Sequence, residues 1–261
     1  MVKLKNYNVV LKQIGLLLTL FLVFSCVHQK QALSRIEGKK ISISNNLSEK
    51  SEIETFIKPF REHIDQDLSL VLAVAPITLD KNGEWQTSMG NFLSDITLEK
   101  TAPIFKARQN KNIDICLLNH GGIRSIIPAG NVTARTAYEV MPFENSAFVV
   151  GLKGMHILEM IDYLIAEKKP HPLSGMTFTI DKNNTAKDIL INGKNINKNT
   201  IYYVVTSDYL INGGDNMLFF KKAVEVYDLD YKLRNVIIDY FKDHKEIVAS
   251  PTIRIKKENL R

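Results

Sequence analysis

The sequence predicts an α+β fold: a single domain of mixed sheet packed with helices. Short apolar runs rich in β-branched residues are interspersed with stretches of helical periodicity. They lack the strict strand–helix alternation that is typical of a parallel α/β fold. The chain has 261 residues, of which 45% are hydrophobic, so it is long enough to bury a substantial core in one domain.

Helices are predicted from apolar spacing and from residues that can cap a helix. Apolar residues recur at helical spacing from Ile53 to Ile64, behind Ser48 and Ser51 as candidate caps. Pro59 weakens this prediction or kinks the helix. Further helices are predicted from about Ser88, from a Thr133 cap through Met141, over 155–166 and around 233–241.

Strands are predicted where short apolar runs are rich in β-branched residues. They are expected over 70–75, 113–118, 147–152, 201–206, 224–227 and 252–255. The run over 70–75 is expected to be buried. Asn192-Gly193 is a strong hairpin signal, because both residues tolerate the positive φ angles of a tight turn.

The first residues are typical of an export signal. Lys3, Lys5 and Lys12 precede an uncharged apolar run over 14–24, which is short for a membrane span and suited to a secretory signal. The run ends at Cys26, in a pattern that resembles the bacterial lipobox, where the cysteine is acylated and becomes the mature N-terminus. An ordinary signal peptide and an uncleaved anchor remain as alternatives.

Three segments follow from this interpretation. They are a lipoprotein signal peptide over 1–25, a lipid anchor and polar flexible tether over 26–49, and a folded domain over 50–261. The protein is expected to be exported and lipid-anchored to a bacterial membrane, on its periplasmic or cell-surface side. The residues after Cys26 do not decide between the membrane leaflets.

Charge and cysteine content exclude some partners and modifications. Removal of 1–25 takes away three lysines and lowers the formal charge from +6 to +3, which is too modest to indicate a nucleic-acid polymer. Cys116 would then be the remaining free cysteine. It lies in an apolar run, so it is expected to be buried and unreactive, without a disulfide.

Two loops combine paired glycines with polar and aromatic residues, and each follows a predicted strand. The first glycine loop is Asn-His-Gly-Gly-Ile-Arg over 119–124, and the second is Tyr-Leu-Ile-Asn-Gly-Gly-Asp over 209–215. Glycines let the backbone turn sharply and approach a ligand closely. The loop-forming glycines are Gly121, Gly122, Gly213 and Gly214.

In the first glycine loop, two side chains are candidates for ligand binding. Arg124 offers a planar fork of donors suited to phosphate or to vicinal hydroxyls. Asn119 can both donate and accept, so it can bind the edge of a heterocycle. Alternatively, Asn119 caps a turn and Arg124 pairs with a surface carboxylate. His120 is more typical of a structural residue.

Three further residues could hold a nucleotide. Asp215 could accept hydrogen bonds from two ribose hydroxyls, and Tyr209 could stack on a flat base. Phe143 follows Pro142, which stiffens the backbone beneath an aromatic platform. The alternatives are an Asx-turn or helix cap for Asp215, and ordinary core packing for the two aromatic rings.

Four motifs occur in a recognisable order. They are Asn-x-Gly-Gly-Ile-Arg at 119–124, Met-Pro-Phe-x-Asn at 141–145, Leu-Lys-Gly at 152–154 and Ser-Asp-Tyr-Leu-x-Asn-Gly-Gly-Asp at 207–215. Met-Gly-Asn-Phe at 89–92 adds a fifth similarity. Together they resemble the C-terminal, substrate-binding domain of the 5′-nucleotidase and UDP-sugar hydrolase family, over roughly residues 55–255.

The resemblance implies a fold like that family's C-terminal domain and a nucleotide or nucleoside as ligand. By position, Phe143 and Tyr209 would sandwich the base, and Asp215 would hold the ribose hydroxyls. Tyr209 stands where the family often has Phe, and it keeps the stacking face.

By the same resemblance, Asn119 and Arg124 would contact base, ribose or phosphate, and Asn145 would be a further polar contact. The family commonly has another substrate-contacting arginine upstream of Met-Gly-Asn. Here that stretch lacks an arginine, which weakens the phosphate contact unless Lys81 substitutes for it.

The sequence departs from the family in lacking the metallophosphatase signatures Asp-x-His, Gly-Asn-His-Glu and Gly-His-x-His. We therefore expect no catalytic residue, cofactor or metal site in this chain; His156 and Glu159, at i, i+3, are weak candidates. Two divalent metals are expected in a separate metallophosphatase chain. The leading hypothesis is a lipid-anchored nucleotide-binding subunit of a split 5′-nucleotidase. The alternatives are a stand-alone nucleoside- or nucleotide-binding lipoprotein, a degenerate member without ligand, and autonomous metal-dependent hydrolysis.

Overall fold

The computed structural model describes residues 7–24, 33–44, 47–48 and 50–258, with the backbone alone at 21–24. The chain divides into two units, Met1–Ser51 and Glu52–Arg261. In the first unit, α1 (Tyr7–Phe24) covers the apolar run of the expected export signal. Within the described residues, no helix has the length and apolar character needed to cross a bilayer. Cys26 and part of the expected tether lie outside the described residues.

Helices and strands alternate irregularly along the rest of the chain. The helices are α2 (Ser51–Ser69), α3 (Ser88–Gln109), α4 (Ala134–Val140), α5 (Gly154–Glu167), α6 (Asp208–Ile211) and α7 (Leu233–Asp243). The strands are β1 (Val71–Ala75), β2 (Ile115–Leu117), β3 (Gly130–Thr133), β4 (Ser146–Lys153), β5 (Leu173–Ser174), β6 (Met176–Ile180), β7 (Ala186–Ile191), β8 (Lys194–Asn195), β9 (Ile201–Ser207), β10 (Glu225–Lys232) and β11 (Ile255–Lys257).

The strands form one central mixed sheet and two smaller sheets. The central sheet has the order β10-β4-β9-β2-β5, in which β2 and β9 are parallel and the other neighbours are antiparallel. A second sheet has the order β11-β6-β7-β8, and β1 pairs with β3. Mixed sheets packed with helices confirm the predicted α+β fold.

Two hydrophobic cores lie on opposite faces of the central sheet. Successive side chains of a strand point to opposite faces. Accordingly, Val205 belongs to the core that contains Phe92 and Phe241, whereas its neighbour Val204 belongs to the core that contains Ile161. The sheet is therefore covered on both faces, which explains why its strands read as nearly continuous apolar runs.

The predicted capping and hairpin signals hold in the structure. The Thr133 side chain accepts a hydrogen bond from the Thr136 N–H and caps α4. Asn192 and Gly193 both have positive φ angles, and they join β7 to β8. Cys116 is buried, as predicted, and burial raises the pKa of its thiol.

Two strand predictions need correction. The run over 70–75 was expected to be buried, but Val71 and Val74 of β1 are exposed. β1 pairs with β3, and Val74 also forms a parallel bridge to Glu246, yet only Ala73 and Ala75 of the strand are buried. The last strand begins at Ile255, three residues later than predicted. Before it, Gln86 bonds the chain twice, through the Thr252 carbonyl and the Arg254 N–H, and so holds it outside the sheet.

Helix α2 forms as predicted and continues through Pro59, but no residue of it is buried. Its apolar positions, among them Phe56 and Phe60, are exposed. Asp65 of this helix accepts a 2.6 Å hydrogen bond from Arg135 on α4. The helical periodicity therefore marks a surface helix, not a part of the two cores.

Candidate functional site

The central sheet brings three loops to one edge. The first glycine loop follows β2 and the second follows β9, and these strands are parallel, so their carboxyl ends meet at the same edge. Strand β4 is antiparallel to β9, with Ala147 opposite Ser207, so the segment before β4 reaches this edge too. That segment, residues 141–145, is called the Phe143 loop below. Loops at strand ends are common positions for binding residues.

A cavity of about 410 Å³ opens between these three loops. We call it the loop cavity; its volume lies in the range of small-molecule sites. Its wall is formed by Asn119, Gly121, Gly122, Arg124, Phe143, Asn145, Tyr209 and Asp215. The six residues that the sequence nominated for substrate contact are therefore brought together. Gly213 and Gly214 line an adjoining groove that shares Asn145 and Tyr209 with the loop cavity.

The carboxylate of Asp215 is held at both oxygens. The Tyr209 hydroxyl donates to Oδ1 over 2.9 Å, and the Asn119 Nδ2 donates to Oδ2 over 2.8 Å. Each ionised carboxylate oxygen can accept two hydrogen bonds. One acceptor position on each oxygen is therefore still available to a ligand.

The backbone at Asp215 is fixed by two tyrosine hydroxyls. The Asp215 N–H donates to the Tyr209 hydroxyl over 3.2 Å, and the Tyr163 hydroxyl donates to the Asp215 carbonyl over 2.6 Å. These bonds hold Asp215 in the left-handed region at φ +50°, a conformation that Asp tolerates better than most residues. Tyr163 lies on α5. In the sequence, the only indication of this role is the hydroxyl of Tyr163 on a helix face that is otherwise apolar.

Asn119 occupies a tight site beneath the first glycine loop. It is 9% exposed, and its amide bonds Asp215 instead of capping the 3₁₀ turn over His120–Gly122 that it precedes. A Cβ atom on Gly122 would lie 2.9 Å from Asn119 Oδ1. The absence of a side chain at Gly122 therefore lets the Asn119 amide face Asp215.

Tyr209 presents one ring face to the loop cavity. A Cβ atom on Gly214 would lie 2.4 Å from the Tyr209 ring, so the glycine backbone packs directly against the ring. Tyr209 sits in α6, which the Ser207 side chain caps by accepting a 3.3 Å hydrogen bond from the Leu210 N–H. The hydrogen bond to Asp215 raises the pKa of Tyr209, so the phenol stays a donor at neutral pH.

Phe143 and Arg124 form another part of the wall. Phe143 and Tyr209 are each 44% exposed, so a ligand can reach both rings. The Arg124 guanidinium lies 5.9 Å from the centre of the Phe143 ring, within the range of a cation–π contact. Arg124 also donates a 3.4 Å hydrogen bond to the Gly121 carbonyl.

A buried arginine that was not predicted from the sequence supports the Phe143 loop. Arg234, on α7, donates from Nε to the Met141 carbonyl over 2.9 Å and from Nη2 to the Pro142 and Phe143 carbonyls over 2.8 and 3.0 Å. Its Nη1 bonds Glu144 over 2.6 Å. The signal was present in the periodicity, because position 234 falls on the apolar face of its helix, where a charged residue needs partners.

A second hidden contact supports the first glycine loop. The His120 N–H donates to the buried His171 Nδ1 over 3.2 Å. Burial lowers the pKa of His171 to about 4 and also lowers the pKa of His120. His171 is therefore neutral at physiological pH, with Nδ1 available as the acceptor.

Lys81 does not line the loop cavity in the place of the missing arginine. Its Nζ donates a 2.6 Å hydrogen bond to the Ile123 carbonyl, within the first glycine loop. Lys81 thus fastens the loop from behind. Of the basic side chains, Arg124 is the one on the described cavity wall.

In the described part of the chain, no cluster of three or more His, Cys, Asp or Glu residues could hold a metal ion. The two weak candidates contact each other: His156 Nδ1 lies 3.2 Å from Glu159 Oε1, and Glu159 also accepts a 2.6 Å hydrogen bond from Lys222.

Comparison with known proteins identifies what the chain resembles. The family profile described as "5′-nucleotidase, C-terminal domain" matches residues 66–222, which is more than half of the chain. A trifunctional nucleotide phosphoesterase of Bacillus subtilis is 26% identical over 209 residues, covering 73% of this chain and 14% of the relative. A 5′-nucleotidase of Vibrio parahaemolyticus is 22% identical over 222 residues, covering 81% and 37%.

A solved structure gives the same result. The 5′-nucleotidase precursor from Thermus thermophilus superposes with a TM-score of 0.68 at 25% identity, covering 80% of this chain and 43% of that one. The chain thus spans less than half of the length of each of these relatives.

Proposed function

Because the chain belongs to the family of 5′-nucleotidase C-terminal domains, we propose that it binds a nucleoside or nucleotide in the loop cavity, as the recognition subunit of a split 5′-nucleotidase. One observation carries the proposal: a carboxylate with a free acceptor position on each oxygen lies in the same cavity as two half-exposed aromatic rings. A nucleoside offers the complement, a vicinal diol joined to a flat base.

In this proposal, the base lies between Phe143 and Tyr209. Each ring offers a face to the cavity, and stacking on one aromatic side chain is worth about 1–3 kcal/mol per base. Every base has a π face, so stacking alone does not select one. Asp215 receives the two ribose hydroxyls.

The polar groups on the remaining wall would bind the base edge and the phosphate. Arg124 carries the positive charge and the fork of donors that a phosphate needs. Asn119 and Asn145 can each donate and accept. The amide of Asn119 already spends one donor on Asp215, so its carbonyl oxygen and second N–H are what remain for a ligand.

Hydrolysis is assigned to a separate metallophosphatase chain that contains two divalent metals. The metals would supply the activated water and the charge that stabilises the transferring phosphate. The present chain would hold the nucleotide in one orientation towards that centre. Fixing a reactant in a productive geometry is itself a large part of catalysis.

The segment organisation forms part of the proposal. Residues 1–25 would be a signal peptide, Cys26 the acylated residue, 26–49 the tether, and 50–261 the binding domain. The protein would then be exported and anchored to a bacterial membrane, where extracellular or periplasmic nucleotides are its substrates.

The test measures binding first and hydrolysis second, and it includes one binding-site variant. The purified chain is titrated calorimetrically with adenosine and AMP, beside the Asp215→Asn variant. It is then mixed with a metallophosphatase encoded by a neighbouring gene, and AMP hydrolysis is followed. Binding by the wild type, weaker binding by the variant and a rate that rises with added chain support the proposal. A rate unaffected by the chain rejects the split enzyme.

A second function keeps the ligand binding and omits the hydrolysis. It is favoured by the two aromatic rings, the carboxylate and the arginine, which all lie on the cavity wall that this chain supplies. The chain would then capture nucleosides or nucleotides as a stand-alone lipoprotein. Binding of adenosine without any partner-dependent hydrolysis would select this function over the first.

A further inference from the structure

The hydroxyl of Tyr209 makes two hydrogen bonds to the same residue. It accepts from the Asp215 N–H over 3.2 Å and donates to Asp215 Oδ1 over 2.9 Å. The two bonds close a small ring that includes the main chain and the side chain of Asp215. A phenylalanine ring at this position would make neither bond.

The hydrogen bonds to Asp215 also fix the orientation of its carboxylate. Asp215 has a left-handed backbone at φ +50°, and its side chain is confined from both sides by Tyr209 and Asn119. Each oxygen therefore points its remaining acceptor position in a fixed direction. Two fixed acceptors on one carboxylate suit two hydroxyls on adjacent carbons.

Stacking and diol recognition are thus joined in one side chain. The Tyr209 ring packs against Gly214, and Tyr209 also lines the loop cavity. Its hydroxyl, at the edge of the same ring, sets the carboxylate. The Tyr209–Asp215 hydrogen bond fixes the distance between the ring and the carboxylate. It therefore also fixes the distance between the sugar of a stacked ligand and Asp215.

We propose that the Tyr209 hydroxyl is a specificity-determining group, which positions the Asp215 carboxylate so that the site selects ligands with a vicinal ribose diol over deoxygenated sugars. This inference rests on the proposed nucleoside binding and names the substrate class, ribonucleosides and ribonucleotides. Deoxygenated sugars would bury a carboxylate oxygen whose acceptor position finds no donor, which disfavours their binding.

The test compares Tyr209→Phe with the wild type on adenosine and on 2′,3′-dideoxyadenosine, by calorimetry. The variant keeps the stacking ring and loses only the hydroxyl. We expect the affinity for adenosine to fall about tenfold, since one charge-assisted hydrogen bond is at stake. The affinity for the dideoxy ligand should change less than about twofold, because it lacks the 2′ and 3′ hydroxyls that would donate to Asp215.

Tyr202→Phe is the matched control. The Tyr202 hydroxyl also accepts a main-chain hydrogen bond, from the Asn197 N–H over 2.9 Å, but it is not on the cavity wall. It should leave both affinities unchanged. Far-UV circular dichroism and the urea midpoint of each variant report on folding.

The outcomes separate this inference from the proposed function. A tenfold loss confined to adenosine supports the role of the hydroxyl. Equal losses for both ligands, or no loss for either, overturn it while nucleoside binding stands. If the wild type binds neither ligand, the proposed function fails, and the inference fails with it. If Tyr209→Phe does not fold, Tyr209→His, which keeps a flat ring without the phenolic hydroxyl, is measured with the same two ligands: a loss confined to adenosine supports the inference, and equal losses or no loss overturn it.

Discussion

Arg234 donates a 3.0 Å hydrogen bond to the carbonyl of Phe143, and thereby ties the aromatic wall of the loop cavity to helix α7. The same guanidinium bonds the Met141 and Pro142 carbonyls and lies 4.2 Å from the centre of the Tyr138 ring. It is 6% exposed. The position of Phe143 is therefore set by a residue about ninety positions away in the sequence.

Replacing Arg234 with lysine should loosen the Phe143 loop. Lysine keeps the charge but cannot reproduce the planar fork, so the Met141, Pro142 and Phe143 carbonyls cannot all keep their donor. We expect the free energy of unfolding to fall by about 2–4 kcal/mol, and the affinity for adenosine to weaken. Urea unfolding and calorimetry measure the two effects.

Arg135→Lys is the control for that substitution. Arg135 bonds Asp65 over 2.6 Å at the surface, where an ion pair contributes at most about 1 kcal/mol. It should change the stability by less than that and leave binding intact. Equal effects of the two substitutions would contradict the special role of Arg234.

The two glycines of the first loop should differ sharply in their tolerance of a methyl group. A Cβ on Gly122 would lie 2.9 Å from Asn119 Oδ1, whereas a Cβ on Gly121 has its nearest neighbour at 3.6 Å. Gly122→Ala should displace the Asn119 amide from Asp215 and destabilise the fold by about 1–3 kcal/mol. Gly121→Ala should be nearly neutral for stability.

Thermal unfolding of the two alanine variants checks this difference, and amide NMR signals of Asn119 report its displacement. Matching melting temperatures for the two would show that the close packing of Gly122 on Asn119 is not maintained in solution.

Removing one aromatic wall should weaken ligand binding without unfolding the protein. Phe143 is about half exposed, so Phe143→Ala costs little core packing and should lose about 1–3 kcal/mol of nucleoside binding. Phe56→Ala, on the exposed face of α2, is the matched control and should bind as the wild type does. A Phe143→Ala variant with undiminished affinity would place the base elsewhere.

His171 should make the stability depend on pH. Burial lowers its folded-state pKa from 6.5 to about 4, so between these values the unfolded chain binds more protons than the folded one. The contribution of neutral His171 to the free energy of unfolding is complete above pH 6.5. It decreases towards pH 4, by up to about 1.4 kcal/mol per pH unit.

His171→Asn removes the titration, and its amide oxygen can still accept the hydrogen bond from the His120 N–H. Urea unfolding at several pH values between 4 and 7 should give this variant a smaller slope of stability against pH, by about one proton. Parallel slopes for variant and wild type would show that His171 is not the titrating group.

The fold class and the positions of the cavity residues could be predicted because their signals are local. Paired glycines after an apolar run mark a loop at a strand end, so the first and second glycine loops could be located from spacing alone. That both loops meet the Phe143 loop depends on strand order, since β4 lies beside β9 only in the folded sheet. Local patterns therefore predicted the two glycine loops and Phe143, Asn145 was nominated only by the resemblance to a known family, and the distances between these residues could not be predicted.

The residues that support the loops could not be predicted from the sequence, because their interactions are not local. Tyr163, His171 and Arg234 act through hydrogen bonds to loops 52, 51 and about 90 positions away, respectively, and no local pattern encodes such a pairing. The prediction for 70–75 was wrong in burial because apolar composition does not reveal which face of a strand meets the core. In β1, Ala73 and Ala75 are buried, whereas Val74 between them points to the other face and is exposed.

A crystal structure of the chain soaked with adenosine tests the account most directly. The account predicts a base stacked between Phe143 and Tyr209, with the two ribose hydroxyls within hydrogen-bond distance of the Asp215 carboxylate and the Tyr209–Asp215 bond retained. A nucleoside found elsewhere, or a loop cavity that stays empty at saturating adenosine, would contradict it.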